Sequence, residues 1–488
     1  MSVSFLIRAD ATPRMGTGHV MRCLALAQAG RKEGLDVHLI CRLGVEWLYT
    51  RLARENISLH ILTDAVPSVE EPETLLTQIQ LEGLPVPQDV DSPIWVALDG
   101  YHFDTACQKA IMQAGYRLLV IDDYAHLPEY HCDVLLNQNI GAEELTYHGS
   151  IGRKLLGLDY VLLREEFWEA KEKAKSRIRP SQPQNILVTL GGGNFIEHLE
   201  KIAADMTMPE LAGRTVRVIQ GAMDADCIRA AFANCPARLE IVQSVDDMPS
   251  LLLDTDLCIT AGGSTCWELC CLKIPFLVLS VAKNQNEVVN LIDKNHIAHK
   301  YSYDKIKDII KKNIYIENDV FIKNKIKSIF ILFSITLRKI KKDDCYLIFD
   351  IINKNYIRDN SINNSYISYE DHLLWFNERI KNDSSFFVVE YKNKMIGYIR
   401  FDTKNFEEQI SIALYDSYHN KGIGTYAIKY ALKQYSSISK FNNIFAYIIK
   451  DNIASLNCFI KSGFTVIGDN IPDNTNIVKL CLNNNKVN

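Results

Sequence analysis

Short apolar runs that end in glycine or aspartate recur along the first two-thirds of the chain, each followed by a helical pattern. They are "VSFLI", "DVHLIC", "PIWVALDG", "RLLVIDD" and "DVLLNQN", then "NILVTLGGG", "TVRVIQG", "LEIVQSV", "LCITAGGS" and "PFLVLSV". A continuous β-branched run suits a strand covered on both faces, because neither face needs a polar side for water. Alternation with helices predicts parallel sheets in an α/β fold. The ten runs fall into two groups, which predicts two facing Rossmann-like halves, residues 1–165 and 180–310, with a ligand beyond the carboxyl ends of the strands. The charged segment "REEFWEAKEKAKSRIRPSQPQ", closed by Pro180 and Pro183, is the expected connection between them.

Composition then changes. All but one of the 14 prolines lie at or before Pro275, and from about Asp293 Lys, Asn and Ile dominate. "DKIKDIIKKNIYIENDVFIKNKIKSIF" alternates charge and isoleucine at helical spacing, which predicts a solvated amphipathic helix and a helical connector over 311–334. Beyond it come a strand "ITLRKI", two helices, three strands "SFFVVEY", "MIGYIRFD" and "QISIAL", a helix from Lys421 to Tyr435, the strand "NIFAYII", the helix "NIASLNCFIKSG" and a last strand. This order predicts a separate α+β domain over 335–488.

Formal net charge is -5, so no global basic field draws nucleic acid or an anionic membrane. The start "MSVSFLIRADA" does not read as a signal peptide, and the longest apolar run, "IFILFSITL", is too short to span a bilayer. The 13 cysteines are odd in number and form no CxxC pair. Cys266, Cys270 and Cys271 lie in an apolar helical pattern and are read as buried thiols, not metal ligands. A cytoplasmic location is expected, and the oligomeric state is left open.

Three loops combine glycine with a switch from strand to helix: "RADATPRMGTGHVMR", "VTLGGGN" with Gly191 and Gly192, and "ITAGGSTCWE" with Gly262 and Gly263. Glycine lets backbone N–H groups approach a ligand, and a following helix adds unpaired donors and a positive dipole end. Each loop is either a phosphate cradle or a tight turn; together they favour a nucleotide diphosphate. Neither GxGxxG nor GxxxxGK[ST] occurs, which argues against a dinucleotide enzyme and a P-loop ATPase. Glu268 falls one turn after Ser264, where it could accept from a ribose, with Ser264 an N-cap as the plainer alternative. "DTD" at Asp254 to Asp256 precedes an apolar run and reads as strand-entry carboxylates, not a metal motif.

"RADATPRMGTGHVMRCLALA", "LVTLGGGN", "ITAGGSTCWELC" and "NQNE" together resemble the UDP-sugar hydrolases of pseudaminic acid biosynthesis, relatives of the MurG-type glycosyltransferases with a GT-B fold, over roughly residues 1–310. The resemblance implies hydrolysis of UDP-2,4-diacetamido-2,4,6-trideoxy-β-L-altropyranose to UDP and the free sugar, without a metal. It makes His19 of the GxGHxxR loop the catalytic residue. It implies substrate contacts at Gly18, Arg22, Gly191 and Gly192, UDP contacts at Gly262, Gly263, Ser264, Thr265 and Glu268, and pyrophosphate or sugar contacts at Asn284 and Gln285. Arg8 and Asp10, on the same loop, are expected to orient the sugar or His19. An imidazole at a helix start is disfavoured as a cation by the dipole, so His19 is expected to accept a proton from water, while glycine turns and helix N-termini stabilise the leaving phosphate.

"YHNKGIGTYAIKYALKQY" and "DNIASLNCFIKSGF" resemble the GNAT acetyltransferases over about 335–488. This implies acetyl-CoA bound at Lys421, Gly422, Ile423, Gly424 and Thr425, with Asn452 and Ser455 on the cofactor side. Two departures stand out: His419 opens the pyrophosphate loop, and Phe459 occupies the place of a tyrosine proton donor. Glu408 is a weak candidate base. The expected whole is a bifunctional enzyme in which a UDP-4-amino sugar is N-acetylated and UDP is then removed. The alternatives are a glycosyltransferase using a UDP-sugar donor, and a nucleotide-sugar binding or regulatory protein.

Overall fold

All ten apolar runs of the first two-thirds become strands. The structure, a computed structural model, describes residues 3–13, 15–87, 93–178, 180, 182–243, 245–312, 322, 325–404, 406–439, 441–468 and 476–483. It divides into two compact units, one formed by Met1–Pro87 and Ile94–Lys327, the other containing Ser328–Asn488.

The first unit holds two parallel sheets. In the first, β1 (Ser4–Ala9), β2 (Asp36–Cys41), β3 (Ser58–Ile61), β4 (Trp95–Asp99), β5 (Arg117–Ile121), β6 (Tyr130–Asn137) and β7 (Gly149–Leu156) lie in the order β3-β2-β1-β4-β5-β6-β7. In the second, β8 (Asn185–Thr189), β9 (Thr215–Ile219), β10 (Arg238–Val242), β11 (Leu257–Ala261), β12 (Phe276–Leu279) and β13 (His299–Lys300) lie in the order β10-β9-β8-β11-β12-β13. Both reverse direction at their first strand, so each opens a crevice there, between β1 and β4 and between β8 and β11. Burial on both faces is explicit in the second sheet. Leu187, Cys258, Phe276 and Val278 enter one core, while their neighbours Ile186, Val188, Ile259 and Leu277 enter the other. The strands without a long apolar run, β3, β7 and β13, are all edges, where one neighbour suffices and charged or polar residues are tolerated.

Two expectations are corrected. The segment assigned to the connection is largely a helix, Glu165–Lys175, built into both halves. Its Phe167 and Ala170 lie in the second half's core with Trp267 and Phe276, while Glu165 pairs with Lys32 and Glu166 with Arg51 of the first half. The lysine-rich stretch begins as a helix, Tyr303–Lys312, whose Ile306, Ile309 and Ile310 are buried in the second half's core, so only its charged face is solvated and the half runs past residue 310. A further helix spans Lys327–Phe333, and most of the connector between the two lies outside the described residues.

In the second unit β14 (Ile335–Lys339), β15 (Phe386–Tyr391), β16 (Lys394–Lys404), β17 (Glu407–Leu414), β18 (Asn443–Ile449), β19 (Thr465–Gly468) and β20 (Ile477–Asn483) lie in the order β14-β15-β16-β17-β18-β20-β19. The finish is thus a pair of strands, not one. All neighbours are antiparallel except β17 and β18, which are parallel and pair only at Glu408 with Ile444 and Gln409 with Phe445. Beyond that contact the two strands part.

Candidate active sites

The crevice of the first sheet is filled by side chains from strand ends that are distant in sequence. The helix Gly18–Lys32 begins directly after the glycine loop, with no side-chain cap and no acidic residue in its first turn, and places His19 there. Asp99, the last residue of β4, is fully buried and stands 2.7 Å from His19 Nδ1. The Asp99 carboxylate favours the proton on Nδ1, although Arg22 Nη2 also stands 3.2 Å from that nitrogen; with Nδ1 protonated, Nε2 of a neutral ring is the acceptor. Arg22, one turn on, donates from Nε and Nη2 to Asp99, each at 2.6 Å, and from Nη1 to Asp123 at 2.7 Å. Burial works against the Asp99 carboxylate, but Arg22 and His19 outweigh it and hold the group well below the usual range. Burial also opposes the Arg22 charge, which Asp123 and Asp99 overcome, lifting it further.

Tyr101 completes the group. Its hydroxyl donates to Asp123 at 2.7 Å, and its ring meets His19 edge-on with centroids 5.1 Å apart. Burial and the nearby Asp123 carboxylate raise its pKa, so the phenol stays protonated. From the second half, Asn284 Nδ2 donates to the Tyr101 hydroxyl at 3.0 Å. A second contact joins the halves: a Cβ on Gly192 would lie 3.2 Å from Thr17 Oγ1 and 3.3 Å from the Thr17 backbone nitrogen. Only a residue without a side chain lets the "LGGGN" turn stand this close to the start of the His19 helix.

The expected site residues therefore separate. His19, Gly18, Gly192 and Asn284 converge on one crevice. Arg22 has its donors occupied by two carboxylates, and its position is that of a brace for Asp99. Arg8 and Asp10 are fully buried. Asp10 pairs with Arg8, receives the Arg42 backbone N–H at 2.7 Å and lies 3.0 Å from His102 Nε2, next to Tyr101 in sequence. Gln285 turns its side chain inward to accept from the Val281 backbone N–H at 3.0 Å.

On the second sheet Gly262, Gly263 and Ser264 follow β11, and Ser264 gives no side-chain cap to the short helix Thr265–Cys271. Space beside Gly263 is open. Glu268 accepts from Arg164 at 3.0 Å; its burial raises its pKa, against the pull of Arg164. Cys266, Cys270 and Cys271 are buried. Asp254 pairs with Arg217, and Asp256 takes Arg177 and the backbone N–H groups of Gln184 and Asn185, so the "DTD" carboxylates fasten the entry to β11. Asp99, Tyr101, Asp123 and Arg164 were not anticipated. The available signal was the aspartate closing "PIWVALDG" and "RLLVIDD", at the strand ends that flank a crevice.

In the second unit the open ends of β17 and β18 carry the two glycine- and asparagine-led helices. Gly422 caps the helix Ile423–Ile438 at φ +76°, a left-handed conformation that frees the backbone N–H groups of the first turn from any side chain. A Cβ on Gly424 would come 2.9 Å from Cys458 Sγ, so that glycine serves close helix packing. Asn452 accepts from Ser455 N at 3.0 Å and caps its own helix, Ile453–Lys461. Phe459 is core, edge-on to Phe464, and His419 Nε2 lies 3.0 Å from the Leu414 carbonyl. Glu408 stands at the paired end of β17, about 20 Å of strand away from Leu414, and accepts from the Tyr435 hydroxyl at 3.0 Å.

Comparison with known proteins follows the same division. The model of the Acetyltransferase (GNAT) family matches residues 347–464. The UDP-2,4-diacetamido-2,4,6-trideoxy-beta-L-altropyranose hydrolase of Campylobacter jejuni is 23% identical over 304 residues, covering 61% of this chain and 99% of that protein. An uncharacterized protein of Methanocaldococcus jannaschii is 23% identical over 491 residues, covering 93% of this chain and 95% of its own. The UDP-N-acetylglucosamine–N-acetylmuramyl-(pentapeptide) pyrophosphoryl-undecaprenol N-acetylglucosamine transferase of Sulfurimonas denitrificans is 29% identical over 92 residues, 18% of this chain and 27% of its own length. The chain therefore joins a region homologous to the UDP-sugar hydrolases to a C-terminal GNAT-like domain matched by the acetyltransferase model.

Proposed function

We propose that the first unit hydrolyses UDP-2,4-diacetamido-2,4,6-trideoxy-β-L-altropyranose and that the second N-acetylates its UDP-4-amino-sugar precursor. The observation that carries the hydrolytic half is the His19–Asp99 pair in the crevice, with Nε2 left as acceptor. His19 removes a proton from water as the oxygen attacks the anomeric carbon; the bond from that carbon to the UDP oxygen breaks, and UDP leaves with the electron pair. Asp99 holds the ring and stabilises the imidazolium that forms, and Arg22 keeps Asp99 ionised and in place. Glycine N–H groups of the second half balance the charge gathering on the diphosphate. Glu268 receives a ribose hydroxyl. Homology over the length of the Campylobacter hydrolase supports this reading.

For the acetyltransferase, Lys421 to Thr425 would hold the pyrophosphate of acetyl-CoA between the ends of β17 and β18, and the bound cofactor supplies an activated acetyl thioester. The left-handed Gly422 and the open first turn fit such a group. Asn452 keeps the second helix end in place.

Incubation with the 4-amino UDP-sugar and acetyl-CoA, then mass analysis, tests both halves: an N-acetylated UDP-sugar is expected, followed by free sugar and UDP. A second reading, transfer of the sugar to an acceptor hydroxyl, draws on the likeness to the Sulfurimonas transferase. Free sugar formed with water as the only acceptor counts against it.

A further inference from the structure

Directly before the helix Glu165–Lys175 stands an arginine that the hydrolytic step does not use. Arg164 is the N-cap residue of that helix, and its side chain is only 9% exposed. A guanidinium so far out of water needs its charge met within the protein. Nη2 donates to Glu268 Oε1 at 3.0 Å, Nε lies 3.3 Å from Glu166 Oε1, and Nη1 points at the Met21 sulfur, 3.9 Å away. The group also lies over the Phe167 ring, 5.0 Å from its centroid, and Phe167 belongs to the packed core of the second half. The arginine therefore rests on a fixed surface and reaches across to the helix Thr265–Cys271.

The Glu268 carboxylate is engaged unevenly. Oε1 takes Arg164, whereas Oε2 accepts no hydrogen bond among the described residues, and 14% of the side chain stays exposed. Oε2 is the oxygen left for a ligand. The groups that act on this carboxylate are Arg164, Glu166, Cys258 and Cys271, of which Arg164 alone is a cation. Burial pushes Glu268 toward its neutral form, Arg164 opposes that, and Glu166 adds to it. An ionised carboxylate is the stronger acceptor for a hydroxyl. We propose that Arg164 is a positioning residue for nucleotide recognition: by binding Oε1 it fixes the Glu268 carboxylate so that Oε2 meets a ribose hydroxyl. Arg164 acts through Glu268, without touching the nucleotide. This rests on the reading above, in which Glu268 receives the ribose.

A double-mutant cycle read by calorimetric titration with UDP tests the role. Arg164→Met alone is expected to weaken UDP about tenfold or more at pH 7. In a Glu268→Gln background, where no carboxylate is left to hold, the same change should shift UDP affinity by less than about threefold. Arg164→Lys, which keeps a charge, should recover part of the loss. As pH is lowered from 9 to 5, the affinity of Arg164→Met should begin to fall at a higher pH than that of wild type, because the unsupported carboxylate takes up its proton sooner. An equal loss in both backgrounds would mean that Arg164 meets the nucleotide directly and would overturn the proposal. Coincident pH profiles, or no loss in either background, would overturn it too. Should thermal unfolding show that Arg164→Met does not fold, Arg164→Lys is carried through the same cycle, and an equal effect in both backgrounds again refutes the role. Equal wild-type affinity for UDP and for its 2′,3′-dideoxy analogue refutes the ribose contact itself, and the proposal falls with that reading; a retained ribose preference beside an uncoupled cycle refutes Arg164 alone.

Discussion

The two candidate ligand regions of this chain are built from different materials. In the first unit the crevice is a network of charged and aromatic side chains, His19, Asp99, Arg22, Asp123 and Tyr101, drawn from two strand ends and one helix. In the second it is mostly backbone: a left-handed glycine, an open helix turn and two strands that part. A side-chain network acts through particular atoms, so single changes should fall on the reacting step. A backbone cradle acts through shape, so most side-chain changes should be tolerated and only those that fill the space should matter.

The largest effect expected from this contrast is at His19. His19→Ala should lower kcat by about a hundredfold or more and leave UDP binding intact, as steady-state kinetics beside calorimetric titration with UDP would show. Turnover near wild type would break the contrast at its strongest point. Next comes Asp99→Asn, which keeps the shape but removes the charge that fixes the tautomer; kcat should fall about ten- to a hundredfold. Glu268→Ala should weaken UDP by about ten- to a hundredfold, the worth of one charge-assisted hydrogen bond of roughly 1.5–3 kcal/mol, while EDTA leaves hydrolysis unchanged. Rescue of EDTA-treated protein by a divalent ion alone would overturn the metal-free step.

For the backbone-built region, Gly422→Val should reduce acetyl-CoA affinity at least about tenfold and leave hydrolysis of an already acetylated substrate unaffected. Loss of hydrolysis in a folded Gly422→Val protein would mean that the two regions do not act separately. The smallest effect concerns acid. Asp10 and Asp99 have carboxyls held far below their unfolded value near 3.9, by His102 and Arg8 in one case and by Arg22 and His19 in the other, in both against the cost of burial. The stability these pairs give is fully present above that value and is lost as pH falls through the folded one. Melting of the first unit should therefore change little from pH 7 to about 5 and drop steeply below about 4, and Asp99→Asn should flatten that drop.

The same contrast explains what could be read in the sequence. A backbone cradle is contiguous, so "HNKGIGT" and "LGGGN" carried their meaning locally, and the ten β-branched runs specified the two parallel sheets because burial on both faces leaves no polar alternation. A side-chain network is assembled by strand order. Asp99 and Asp123 meet Arg22 only because β4 and β5 lie next to one another beside β1, and nothing local to "VALDG" or "VIDDY" says so. Arg8 and Asp10 show the same dependence on strand order: charged residues beside a glycine loop read as ligand contacts, and in the fold they lie buried, meeting one another, Arg42, Glu70 and His102.

The helix Glu165–Lys175 is fastened unequally. On one side it is held by Phe167 inside a packed core, and on the other by an exposed Lys32–Glu165 pair, a part-buried Arg51–Glu166 pair and the Glu165 backbone N–H donated to Gln28 Oε1 at 2.9 Å. Extracting a buried phenylalanine costs several kcal/mol, whereas a surface ion pair is worth about 0–1 kcal/mol and can be exchanged for water or a neighbouring charge. If the halves were drawn apart, the helix would be expected to stay with the second half, since its named contacts to the first are polar ones.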